Sequence, residues 1–336
     1  MKKFILVIYF IVFPIFGSDQ GNVSHLNNID IWWEDYGNKS NPPVLLIMGT
    51  NANSKMWPQE LIDGIEENDF YVINFDNRDV GKSTWFSKEP LLIKVLKILP
   101  TSITEYFVEQ MFSLMLDEEG KFRMNPGGSA LYDLNDMALD AVSLLDHLNI
   151  EKAHIVGASM GGMIAQVIAL EHPERVLTLA PIMSTPGFDT ENLPGPSKSF
   201  TKSLKVTFIQ NLEGKEREAS LTTQRALSGT RYPFNKESFG KRLNLILSQG
   251  NNLYSGHLAA VGISPNRFHR LKEIKVPTLV IHGSEDPIIP LEHGLAIVNQ
   301  IQGSNQMIID GLGHEIHQEI IPAITKKLVD HFNSVK

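Results

Sequence analysis

Ala153-His154-Ile155-Val156-Gly157-Ala158-Ser159-Met160-Gly161-Gly162-Met163 is the stretch on which the fold of this chain turns. A short apolar run ends in a glycine-rich turn, and an apolar helical pattern over 163–170 follows. Strand, tight turn and helix in that order form a nucleophile elbow, where a serine sits on a strained turn and its neighbours two before and two after must be small. Gly157, Gly161 and Gly162 meet that demand. The turn also sets Ser159 at a helix N-terminus, whose backbone N–H groups and dipole favour the negative charge of a tetrahedral intermediate. The alternative, an idle serine in a Gly-rich turn, does not account for the flanking strand and helix.

The same strand-then-helix rhythm extends in both directions. Aliphatic or β-branched runs at 44–48, 71–75, 153–157, 278–282 and 306–310 read as buried parallel strands. Residues 30–36, DIWWEDY, read as an antiparallel strand ahead of them. Over 134–148, apolar Met137, Ala138, Ala141, Val142, Leu144, Leu145 and Leu148 recur at helical spacing, with Asp136, Asp140 and Asp146 on the wet side. Alternating elements of this kind predict an α/β sheet with helices on both faces. Two stretches interrupt the rhythm. About 85–128 holds a Pro-bounded apolar helix at 90–100 and a second near 106–116; about 186–262 is helical, polar and placed like a lid. The 90–100 segment is too apolar all round for an ordinary surface helix, so it should bury most of itself as extra core, line an acyl entrance or touch a lipid surface.

A serine hydroxyl needs a base and an orienting carboxylate, and in this architecture the acid precedes the histidine. Asp286 follows the 278–282 strand in Gly283-Ser284-Glu285-Asp286-Pro287, and His314 follows the 306–310 strand in Gly311-Leu312-Gly313-His314. Both lie at carboxyl ends of strands, where the ligand-side residues of open α/β sheets collect. His317 is the second-choice base; Glu285 and Asp189 are the second-choice acids. His314-Glu315-Ile316-His317 spaces its imidazoles three apart, without the four-residue spacing that puts two ligands on one helix face, so no metal site is expected. The oxyanion needs a donor besides the Met160 amide. The loop after 44–48, Gly49-Thr50-Asn51-Ala52-Asn53, offers Thr50 first and Asn51 second. Asp76-Asn77-Arg78-Asp79-Val80-Gly81-Lys82-Ser83 reads as a polar brace held by Asp76 and Arg78.

The 336 residues are enough for one large core, and 42% hydrophobic against 20% charged residues fit a soluble globule. A net charge of −8 with no basic block disfavours nucleic acid as a partner. The chain has no cysteine, which excludes disulfides, thiolate nucleophiles and Cys-built metal centres. Met1-Lys2-Lys3, an apolar run over 4–16 and then Gly17-Ser18 have the order of a signal peptide over 1–17, too short to span a bilayer. The expectation is a secreted or periplasmic protein, with an uncleaved N-terminal anchor as the alternative, and one domain over 27–336.

Taken together, MGTNANSKMWP, FDNRDVGKS, GASMGGMIAQVIALEHPERV, VPTLVIHGSEDPIIPLEHG and DGLGHE resemble the α/β-hydrolase superfamily, and within it the serine hydrolases typified by aclacinomycin methyl esterases. The resemblance covers about 29–332. It implies a mostly parallel eight-stranded sheet with a helical cap, Ser159 as nucleophile, His314 as base, Asp286 as its orienter and Thr50 and Met160 as oxyanion donors. It departs from the common pattern in three places. Met48-Gly49 stands where His-Gly is usual; Pro181 falls in the sixth strand, at 176–183, which should then end early or bulge; and the 85–128 insertion replaces a short link. The implied activity is cofactor-free hydrolysis of a small or lipid-like carboxylic ester through an acyl-enzyme. A thioesterase, carbon–carbon hydrolase, acyltransferase or perhydrolase would share the same residues, and so would a non-catalytic ligand-binding relative.

Overall fold

A computed structural model describes residues 21–115, 130–188, 190, 192–250 and 252–335. The expected signal segment 1–17, the far part of the insertion over 116–128 and Asp189 lie outside the described residues.

Eight strands build one sheet: β1 Asn22–Leu26, β2 Ile29–Tyr36, β3 Pro43–Ile47, β4 Tyr71–Phe75, β5 Ala153–Ala158, β6 Val176–Ile182, β7 Leu279–Gly283 and β8 Asn305–Ile309. Their spatial order is β1-β2-β4-β3-β5-β6-β7-β8. The β1–β2 and β2–β4 pairings are antiparallel, and every pairing from β4 to β8 is parallel. The central strands are aliphatic because both faces of a parallel sheet are covered. Leu45 and Ile47 of β3 join one core cluster while Val44 and Leu46 join the other, as the two-residue strand period requires.

Helices α1 Gln59–Glu66, α2 Leu91–Leu96, α3 Thr101–Met115, α4 Leu134–His147 and α5 Met160–Glu171 precede β6. Helices α6 Lys198–Leu212, α7 Glu216–Leu227, α8 Lys236–Gln249 and α9 His257–Ile263 fall between β6 and β7, and α10 Leu291–Gln300 and α11 Ile321–Phe332 complete the set. Residues of α4, α5 and α10 pack on one sheet face, and residues of α1 and α11 on the other. Helix α4 begins where the sequence places it because Asp133 caps it: its carboxylate accepts from the Asn135 and Asp136 amides, while Asp136 accepts from the Asp133 amide.

Two expectations need correction, and one strand, lying before the expected start of the domain at residue 27, was missed. Strand β1, NVSHL, escapes a hydrophobic reading because it is a largely exposed edge strand. Pro181 does not end β6, which runs through to Ile182 with Pro181 opposite Gly157 of β5; the strand does carry an irregularity, but at its start, where the register shifts between Ala153 and His154 of β5 and skips Leu177. The amides of Leu179 and Met183 donate toward the β7 side, to Pro277 and Ile281, so the N–H that Pro181 lacks falls on the already sparse β6–β7 seam. Finally, the apolar 90–100 segment does not bury most of itself. Helix α2 turns Ile93 and Leu96 inward onto Val108, Phe112 and Leu212 but leaves Leu91, Leu92, Val95 and Ile98 in solvent.

Candidate active site

Ser159 stands between β5 and α5 with φ 56° and ψ −119°, left-handed backbone that only a tightly determined turn imposes on a non-glycine residue. The turn closes because Gly157 and Gly161 lack side chains: a Cβ on Gly157 would lie 2.1 Å from the Gly161 carbonyl oxygen, and one on Gly161 would lie 2.0 Å from that of Ile47. The Ser159 amide donates to Ile182 O at 2.9 Å, anchoring the elbow to the end of β6. Behind it α5 is buried all round, from Met160 to Ala169.

Asp286 and His314 come together across 28 residues of chain, with His314 Nδ1 2.6 Å from Asp286 Oδ2. The Asp286 carboxylate is fully buried, and its other oxygen accepts from the Ile288 and Ile289 amides at 3.0 and 2.8 Å. That arrangement makes Nδ1 the donor and leaves His314 Nε2 as the available acceptor. No hydrogen bond between the Ser159 hydroxyl and His314 Nε2 occurs among the described residues, and the two groups lie on separate loops of the same sheet end. The His314 amide donates to Leu227 O at 2.7 Å, so the end of α7 holds the histidine loop.

The second-choice residues are engaged elsewhere. Glu285 accepts from the Thr230 amide and hydroxyl at 2.7 and 2.8 Å, bonds that hold its carboxyl below the usual range. His317 caps the short 3-10 turn at Gln318–Ile320, accepting from the Glu319 amide, and its ring packs on Tyr232. Buried His282 lies 3.5 Å from Asp286, and its Nε2 is 2.8 Å from Ile289 O. Asp189 is outside the described residues.

The loop after β3 runs against the serine; a Cβ on Gly49 would stand 2.9 Å from Ser159 Cβ. A turn closed by the Ala52 amide on Gly49 O, with Asn51 at φ 56°, shapes it. The Asn51 amide is taken, since it donates to His257 Nδ1 at 3.0 Å. No acceptor for the Thr50 or Met160 amide is present among the described residues. Of the two loop residues weighed from the sequence, Thr50 is therefore the one with a free N–H.

His257, at the start of α9, was missed by sequence reasoning, and nothing in the sequence singles it out from ten other histidines. Because Nδ1 accepts from Asn51, Nε2 carries the proton and donates to Arg78 O at 2.7 Å. Complete burial pushes its pKa down to about 4, so the ring is neutral and its tautomer set. The polar stretch after β4 is a brace, as read, but a larger one. Arg78 forms a two-pronged buried pair with Asp140 of α4, at 2.6 and 2.8 Å. Asp76 accepts from the Ser54 and Lys82 amides and from Gln249. Asp79 gathers Phe86, Ser87, Tyr132 and Gly256; these bonds outweigh burial and hold its carboxyl below the usual range.

Two cavities, of about 540 and 440 Å3, are lined by residues other than Ser159, Asp286 and His314. The chemistry, not the volume, marks the site. No group of three or more His, Asp or Glu side chains that could hold a metal ion occurs among the described residues.

An eight-stranded, mostly parallel sheet with a serine on a strained strand-to-helix turn, and an acid–histidine pair on loops after the last two strands, defines the doubly wound hydrolase class. The chain belongs to the family described as alpha/beta hydrolase fold, which matches residues 42–319. Rhodomycin D methylesterase DauP of Streptomyces sp. (strain C5) is 25% identical over 322 residues, covering 89% of this chain and 94% of that protein. The methyl-esterase resemblance of the motifs agrees with this match. A 2-hydroxy-6-oxononadienedioate/2-hydroxy-6-oxononatrienedioate hydrolase of Paraburkholderia phymatum is 31% identical over 202 residues, 59% of this chain and 67% of that one. Among solved structures, an esterase from Exiguobacterium antarcticum superposes with a TM-score of 0.66 at 20% identity, covering 93% and 99% of the two chains, a likeness of fold.

Proposed function

We propose that this chain is a serine hydrolase of carboxylic esters working through an acyl-enzyme, with Ser159 as nucleophile, His314 as general base and Asp286 as its orienter. The observation that carries the reading is the Asp286–His314 pair at 2.6 Å in the same molecule as the left-handed Ser159 elbow. His314 Nε2 takes the serine proton as the hydroxyl attacks the ester carbonyl. The free amides of Thr50 and Met160 receive the oxyanion. The alcohol leaves with the proton from His314, and a water deprotonated by the same imidazole then releases the acid. The segment at about 186–262 acts as the cap, its bonds to Asn51, Glu285 and His314 tying it to each loop of the site. We read the segment over 1–17 as an export signal, charged, then apolar, then small, which would make the enzyme secreted or periplasmic, or membrane-anchored where the segment is left uncleaved.

A panel of p-nitrophenyl and methyl esters tests the reading. Ser159→Ala should lose on the order of 10⁴-fold or more in kcat with an unchanged melting temperature. A fluorophosphonate should label Ser159, and His317→Ala should stay within about threefold of the parent, as a residue outside the machinery does. Labelling of another serine, or turnover kept by the alanine variant, would refute it. The match to dienedioate hydrolases supports a second reading, carbon–carbon bond hydrolysis by the same residues; turnover of a 2-hydroxy-6-oxodienoate with no ester turned over would favour it.

A further inference from the structure

Nine of the sixteen large hydrophobic side chains that stand exposed among the described residues crowd into residues 85–115. They follow helical spacing on the outside of two consecutive helices. On α2 and its C-terminal end the row is Leu91, Leu92, Val95 and Ile98; on α3 it is Ile103, Tyr106, Phe107 and Leu114. Ile98 is 82% exposed and Leu91 77%. The opposite faces of both helices, Ile93 and Leu96, Val108 and Phe112, are buried against Leu212 of α6. A helix pair apolar on its inner and outer faces alike exceeds what folding requires, and exposed apolar side chains concentrated in one segment mark an interaction site.

Charge and composition say what covers it. Over 85–115 three lysines, Lys88, Lys94 and Lys97, meet three glutamates, Glu89, Glu105 and Glu109, and all three lysines gather at the α2 end of the arm, in a chain of net −8. Lys94 sits among the exposed apolar side chains and makes no ion pair among the described residues, while Lys97 is tied to Glu89. On α3, Glu109 is neutralised by Lys205 at 2.6 Å, which leaves Glu105 as the exception. Half-exposed Trp85 and Tyr106 add the amphipathic aromatics that settle at headgroup level. No described helix is long and apolar enough to cross a membrane. Short helices with an apolar outer row, lysines and aromatics lie along a bilayer surface instead of spanning it.

We infer that α2 and α3 form an arm that docks the protein onto an anionic lipid bilayer, its outer row entering the headgroup–acyl boundary and its lysines meeting lipid phosphates. This holds whatever bond Ser159 cleaves.

Trp85 supplies the readout. The other three tryptophans, Trp32, Trp33 and Trp57, are buried, whereas Trp85 is 46% exposed at the root of the arm. With the full chain and vesicles of phosphatidylcholine and phosphatidylglycerol carrying brominated acyl chains, tryptophan fluorescence should be quenched, and Trp85→Phe should abolish the quenching. Residues 1–17 could hold the protein near a bilayer without inserting the arm, so quenching at Trp85, not sedimentation, decides. The Leu91→Glu, Ile98→Glu double variant should keep its melting temperature, since both side chains are in solvent, and lose at least about tenfold in vesicle partitioning read by quenching. Quenching absent from the parent, or retained by the double variant or by Trp85→Phe, would overturn the proposal. So would a micromolar dimer that the double variant dissolves in the absence of lipid quenching, because the row would then be an interface between two copies.

Discussion

Asp286 illustrates how much of this site is decided by single atoms. One carboxylate oxygen is held by the Ile288 and Ile289 amides, and the other meets His314 Nδ1. In Asp286→Asn the two amides demand an oxygen on their side, which forces the carboxamide NH2 toward His314. A donor there imposes the wrong imidazole tautomer, with the proton on Nε2. We expect kcat to fall by about 10³- to 10⁴-fold with little change in KM and a fold as stable as the parent. Near-parental kcat in that variant, measured on any ester the parent hydrolyses, would move the orienting acid elsewhere. Glu285→Gln is the matched control, because Glu285 spends its carboxylate on Thr230.

At the scale of elements, the brace after β4 ties the sheet to α4 through the Arg78–Asp140 pair, whose members are 6% and 1% exposed. Phe86 and Tyr132 flank the guanidinium, and Arg78 O receives the His257 proton. Removing one charge leaves the other buried without its opposite charge, with only the Asp136 carbonyl for Arg78 or the Asn27 amide for Asp140. Asp140→Ala should therefore destabilise by about 3–5 kcal/mol, lowering the melting temperature on the order of 5–10 °C. The double change Arg78→Met, Asp140→Leu should cost less than Asp140→Ala alone, since it leaves no charge stranded. Calorimetry on the two variants decides; a double variant less stable than the single one would show that the pair, and not the stranded charge, dominates.

For the molecule as a whole, the buried histidines set the response to acid. Burial pushes His154 and His257 down to about 4, and lowers His282, His293 and His331 as well. Each takes a proton near pH 6.5 when unfolded but resists it when folded, so the unfolded chain binds more protons between about 6.5 and 4. Stability from these groups is complete above about 6.5 and declines as pH falls, by on the order of 1.4 kcal/mol per pH unit for each of the two rings held at about 4. The buried carboxyls of Asp76, Asp140 and Glu315 are pushed up and act in the opposite sense, but the histidines outnumber them. The melting temperature should be level from pH 8 to 7 and drop steadily from 6.5 to 4.5. A level profile down to pH 5 would contradict this account. Protonated His257 could no longer accept from Asn51, so the loop that carries Thr50 should loosen in the same range.

The sequence alone determined the sheet, the elbow and the order Ser159, Asp286, His314, because each is written in short-range terms: strand-length apolar runs, glycines where the chain must approach itself, and polar loops at strand ends. Strand β1 was not legible because an exposed edge strand carries no hydrophobic alternation, and the bounds of the first insertion's helices were not, because side chains apolar on both faces give no periodic contrast to read. Only the tertiary structure decided which loop amide is free. That depends on His257, 206 residues beyond Asn51. Only it separated Asp286 from Glu285, adjacent carboxylates whose difference is the direction each side chain takes. It alone showed the outer row of α2 and α3 left in solvent: composition reveals that a helix is apolar all round, whereas which face finds a partner is settled by what the rest of the chain brings to it.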